Sequence, residues 1–82
     1  VMNDRDYSRG VAWGKKVFRD HVRAFGETGI YMADKVATTC GKYADCRTRK
    51  TKTGKVLNNS MRSFYKGARA GMQAAYRDLQ KR

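Results

Sequence analysis

Apolar residues recur along most of the chain at the three- and four-residue steps of an α-helix, not at the two-residue step of a strand. Asn3 or Asp4 offers a cap, and Tyr7, Val11, Gly14, Phe18, His21/Val22 and Phe25 fall on one face, predicting a helix over 4–25. Gly26 and Gly29, with Glu27 and Thr28 between them, predict a helix stop and a turn. Beyond it Ile30, Ala33, Ala37, Cys40 and Ala44 share a face and predict a second helix over 29–46. Thr38, Thr39 and Gly41 lower the propensity in its middle.

Residues 47–55 read Arg-Thr-Arg-Lys-Thr-Lys-Thr-Gly-Lys, with no side chain that would anchor a core. A basic loop or arm over 47–56 is the expectation. Asn58, Asn59 or Ser60 then caps a third helix over 58–81, in which Leu57, Met61, Phe64, Ala68, Gly71, Ala75 and Leu79 keep the helical step. The expected fold is all-α: one small basic domain over 1–82, three helices, with the arm between the second and third. The Phe, Met and Tyr stripes read as ordinary core.

Residues 7–14 (Tyr-Ser-Arg-Gly-Val-Ala-Trp-Gly) align with residues 64–71 (Phe-Tyr-Lys-Gly-Ala-Arg-Ala-Gly) as a short internal echo. Each copy places two glycines four residues apart inside a helix, where each costs about 0.5–1 kcal/mol relative to alanine. Small residues at that spacing form a flat groove that lets another helix approach closely. Helices one and three are therefore expected to cross at Gly10/Gly14 and Gly67/Gly71. The competing use of such a groove is to receive an RNA backbone or a second copy of the chain, which makes a homodimer the alternative assembly.

Charge changes the picture most. The 82 residues hold 19 Lys+Arg and 7 Asp+Glu, a formal net charge of +12, and no proline. Residues 1–45 carry 8 basic and 6 acidic side chains, whereas residues 46–82 carry 11 basic ones and Asp78 alone. A field of one sign over the second half calls for an anionic partner: nucleic acid, an acidic membrane surface or an acidic protein. A chain this short buries only about 60% of the surface its unfolded state exposes, which disfavours a deep catalytic cleft.

No segment approaches the roughly 20 apolar residues of a membrane span, and the first twenty residues mix charges instead of forming a leader. A soluble, cytoplasmic protein is the expectation. Cys40 and Cys46 are too few for a secreted disulfide framework, and two thiolates without two further ligands make a poor metal site, so a reduced pair and no metal are expected. His21 beside Asp20 reads as a stripe or surface histidine. The Thr-Gly-Lys at 53–55 lacks the upstream glycine and the following Ser/Thr of a phosphate-binding loop. With no poised catalytic group, neither an enzyme nor a cofactor is expected.

Nucleic-acid binding has positive support. Arg47, Arg49, Lys50, Lys52 and Lys55 form the cationic arm, and Arg62, Lys66, Arg69 and Arg77 extend it along helix three. Arg62, Lys66 and Arg69 share a face, and Arg77 follows about two turns on. Solvated faces normally mix signs, whereas no carboxylate lies between Asp45 and Asp78. Arms of this composition, without a defined reading helix, suit irregular RNA, with Tyr43, Tyr65 and Trp13 as stacking candidates.

Two fragments resemble a known family. Residues 5–14 (Arg-Asp-Tyr-Ser-Arg-Gly-Val-Ala-Trp-Gly) and 62–67 (Arg-Ser-Phe-Tyr-Lys-Gly), the latter preceded by Leu57-Asn58, are similar to the two blocks of the bacterial ribosome modulation factor family. They cover about a fifth of the chain. The resemblance implies helices of a small basic protein that docks on ribosomal RNA and silences translation, with Arg5, Arg9, Gly10, Gly14, Arg62, Ser63, Tyr65 and Gly67 as matching positions. The family joins its helices by a short linker with a Cys-Pro-Tyr element, whereas here a long segment without proline intervenes and Cys40-Gly41-Lys42-Tyr43 is no more than an echo of it.

The functional expectation is a non-enzymatic RNA-binding protein that docks on structured RNA, ribosomal or of another ribonucleoprotein, and modulates it. Two alternatives stand beside it. One is a small inhibitor from a mobile element that binds a nucleic-acid-processing complex through its basic face. The other is a DNA-binding regulator.

Overall fold

The computed structural model describes residues 4–45 and 59–81 as three helices: α1 Asp4–Phe25, α2 Glu27–Asp45 and α3 Asn59–Gln80. The arm placed at 47–56, Cys46, and the cations Arg47, Arg49, Lys50, Lys52 and Lys55 lie outside the described residues. Among the described residues there is no strand.

α1 ends and α2 begins at a single residue. Gly26 has φ of 59°, the left-handed region in which an L side chain is strained. Its N–H donates to the Val22 carbonyl at 2.8 Å, which closes α1, and its own carbonyl accepts from the Ile30 N–H at 3.3 Å, which opens α2. Two helices joined by one residue fold back on each other. The expected turn at 26–29 is therefore shorter, and α2 starts two residues earlier than its predicted 29. Gly29 is not a turn residue: it is helical and buried, and a Cβ there would strike the main chain of His21.

α1 and α3 pack main chain to main chain. A Cβ on Gly10 would collide with the carbonyl oxygen of Phe64, and one on Gly14 with that of Ala68. Reciprocally, Gly67 faces the carbonyl of Tyr7 and Gly71 that of Val11. Contact positions advance together along both helices, so α1 and α3 run parallel. Tyr7 and Phe64 are equivalent in the internal echo, as are Gly10 and Gly67, and Val11 and Ala68. The pair thus has the reciprocity of a two-fold dimer built within one chain. All four glycines are buried. Their grooves are filled by each other, leaving no room there for an RNA backbone or a second copy.

The core is built from small side chains. Phe18, Ala33, Cys40, Ala68, Met72 and Ala75 are its buried apolar residues, flanked by Val17, Val22, Ile30, Val36 and Leu79. Phe18 meets Tyr76 edge-on at 6.2 Å between ring centres. Dispersion between closely approached backbones supplies what a larger domain takes from bulky side chains. At one end Ser60 donates a 2.6 Å hydrogen bond to Asp6, tying the start of α3 to α1, and Arg9 approaches the other carboxylate oxygen of Asp6 at 3.9 Å.

Candidate nucleic-acid interface

The described part of the predicted cationic surface divides by burial. Lys66 and Arg77 are exposed on α3, whereas Arg62 and Arg69 are half-buried and engaged in contacts. Arg69 lies across α2: its guanidinium Nη1 comes within 2.8 Å, and its Cδ within 3.1 Å, of the point where a Cβ on Gly41 would stand. A glycine in mid-α2 thus makes a seat for the Arg69 side chain in the α2–α3 seam. The shared face expected of Arg62, Lys66 and Arg69 is split, because α2 covers its Arg69 edge.

Three aromatic residues with no sequence relation to one another converge. Trp13 of α1, Tyr43 of α2 and Tyr65 of α3 line one hollow of about 310 Å³, together with Cys40 and Lys35. The rings of Tyr43 and Tyr65 are 5.0 Å apart and tilted by 43°, and Trp13 packs 5.6 Å from Phe64. Burial raises the Cys40 thiol above its ordinary value. It also raises the Tyr65 hydroxyl, assisted by repulsion from Cys40 and Tyr43. Both groups are therefore neutral near pH 7, so among the described residues the hollow has aromatic walls and one cation, Lys35.

His21 is held by its helix. Its Nδ1 lies 2.7 Å from the Val17 carbonyl, one turn back, and its ring packs against Phe25. Both contacts fix the ring on α1. Among the described residues no three His, Cys, Asp or Glu side chains gather where an ion could be held, and no helix is long and apolar enough to cross a membrane.

A second feature lies on the other side of α2. Phe18, Tyr31, Met72 and Tyr76 line a groove of about 520 Å³ whose charged residues are Glu27 and Asp34. Tyr31 is 62% exposed, beside Lys35, whose ammonium stands 5.1 Å from the Tyr31 ring centre. Ile30 and Ala33 fall on the helical apolar stripe of α2, whereas Tyr31 falls outside it.

The outer edge of α1 carries a further row of cations, of which the family resemblance matches only Arg5 and Arg9. Arg5, Arg9, Lys16, Arg19 and Arg23 are all exposed there. With Ala12 they follow four-, three-, four-, three- and four-residue steps, the same signal that marks the apolar stripe on the opposite side of the helix. Arg9 has Asp6 beside it, while Lys16, Arg19 and Arg23 make no ion pair among the described residues. Compared with known proteins, the chain matches no family model, no curated protein and no solved structure.

Proposed function

We propose that this is a non-enzymatic RNA-binding domain that docks on structured RNA, within a ribosome or another ribonucleoprotein, and modulates that assembly. The observation that carries the reading is the run from residue 46 to 77, which holds nine cations and no carboxylate. Lys and Arg facing phosphates release condensed counterions, a gain that grows with every contact. The hollow of Trp13, Tyr43 and Tyr65 adds aromatic surface for an unstacked base. The likeness of residues 5–14 and 62–67 to the ribosome modulation factor blocks points the same way.

The test is recovery of the tagged protein from its native lysate, with and without ribonuclease, followed by sedimentation. Co-migration with ribosomal particles, abolished by ribonuclease, is the expected result. The apolar groove with Glu27 and Asp34 favours one second reading, an inhibitor that docks on a protein component of a nucleic-acid-processing complex. Retention of one ribonuclease-resistant protein partner would select it.

A further inference from the structure

We propose that the outer edge of α1 is a second, independent nucleic-acid surface, so that one molecule bridges two RNA duplexes. This inference rests on the RNA-binding reading and adds its valence.

Arg5, Arg9, Lys16, Arg19 and Arg23 stand in one exposed line. At 1.5 Å per residue the line is about 27 Å long. Even at the B-form DNA spacing of about 3.4 Å per phosphate along each strand, the ridge is long enough to meet several phosphates at once. Ala12 occupies the middle of the line, also exposed, and its short side chain lets a backbone come close between Arg9 and Lys16. The ridge has no Asn, Gln or aromatic side chain with which to read base edges, which fits docking on the phosphate backbone of a duplex.

The ridge is separate from the α3 surface because of the glycine seam. On α1, Gly10 and Gly14 face α3, and the ridge lies about half a turn away around the helix. On α3, Gly67 and Gly71 face α1, and Arg62 and Lys66 likewise lie about half a turn away. The two basic edges therefore point in opposite directions across a pair of helices, about 20 Å apart. The persistence length of a duplex is on the order of 150 base pairs, so a short stiff duplex lies along one edge and does not wrap round so narrow a body to the other. Two duplexes occupy both.

The test immobilises a biotinylated 20-base-pair RNA duplex and asks whether the protein retains a second, fluorescent copy of it. At about 0.15 M salt the Debye length is about 8 Å, shorter than the distance between the edges, so charges on one edge scarcely act at the other. The wild-type protein is expected to capture the second duplex, with capture falling again at excess protein as each duplex acquires its own molecule. The K16Q/R19Q/R23Q variant is expected to bind a single duplex within about threefold of wild type and to lose capture at least tenfold. Lys16→Arg with Arg19→Lys and Arg23→Lys keeps the charge and should keep capture, and circular dichroism should show full helix content in both variants. Capture unchanged in the Gln variant, loss of single-duplex binding in step with capture, loss of capture in the charge-preserving variant, or wild-type binding without capture would each overturn the bridge. Absence of any wild-type RNA binding would instead remove the RNA reading itself.

Discussion

Gly10 of α1 sits directly beneath the carbonyl oxygen of Phe64 in α3, at a separation no side chain could share. Replacing it with alanine recovers about 0.5–1 kcal/mol of helix propensity but forces two backbones apart, an overpacking cost of about 1–3 kcal/mol. Gly10→Ala, Gly14→Ala, Gly67→Ala and Gly71→Ala should therefore each lower stability in urea denaturation. Gly41→Ala is the control. Its neighbour is the Arg69 side chain, which can shift where a main chain cannot, so the propensity gain offsets much of the displaced Arg69 contact and the loss should be well below that at Gly14. A destabilisation at Gly41 equal to that at Gly14 would contradict this account.

The corner between α1 and α2 depends on conformation, not on space. A Cβ at Gly26 meets nothing within 4 Å, yet its φ of 59° penalises any L side chain. Gly26→Ala should cost about 1–2 kcal/mol. Gly26→Asn should cost clearly less, because Asn visits the left-handed region readily. Thermal denaturation of the two variants separates strain from packing: equal losses would mean that the turn is not what the substitutions disturb.

Much of this architecture was legible in the sequence, and the two shortfalls have physical causes. The four- and three-residue steps predict α1 at 4–25 as observed, and the echo of residues 7–14 in 64–71 predicts which glycines meet. Gly26 and Gly29 look alike as letters but serve different needs, a positive φ at one and close approach to His21 at the other, so the pattern predicts a turn two residues longer than the one that forms. The α1 ridge is hidden in a charge count because residues 1–45 nearly balance, 8 basic side chains against 6 acidic. That tally sums along the chain, whereas a helix sorts charge around its axis. Asp4 lies on α1 away from the line of cations, Asp20 flanks it between Lys16 and Arg23, and Glu27 and Asp34 lie on α2 by the apolar groove. Asp6 and Asp20 border the ridge on one side, and of the two only Asp6 pairs with one of its cations, Arg9, among the described residues.

The Cys40 and Tyr65 shifts have a consequence at alkaline pH. Each group is harder to deprotonate when folded than when unfolded. A raised folded value means that the native state holds protons the unfolded state releases, so the stabilisation is present below the unfolded values and is lost as pH rises through the folded ones. These two groups should leave stability unchanged up to about pH 8 and lower it above about pH 9, first through Cys40 and then through Tyr65. Cys40→Ala removes the first part of that decline. A urea midpoint that stays level from pH 8 to 10.5 in the wild type would refute the assignment.

Lys66 and Arg69 separate affinity from folding within a single turn of α3. Lys66 is exposed, while Arg69 is half-buried over Gly41. Under the RNA reading, Lys66→Gln should leave the urea midpoint unchanged and reduce the slope of log K against log salt by about 0.7–0.9, the contribution of one phosphate contact. Arg69→Gln should instead lower stability by about 1 kcal/mol or more, since its aliphatic stem packs in the seam and its guanidinium is held there. Titrating both variants against duplex RNA from 50 to 300 mM salt, beside denaturation curves, distinguishes the roles. If Lys66→Gln leaves the slope untouched, the exposed edge of α3 makes no phosphate contact and the nine-cation run must act through its other members. If Arg69→Gln changes only the slope, the seam contact is dispensable and Arg69 swings out to the ligand.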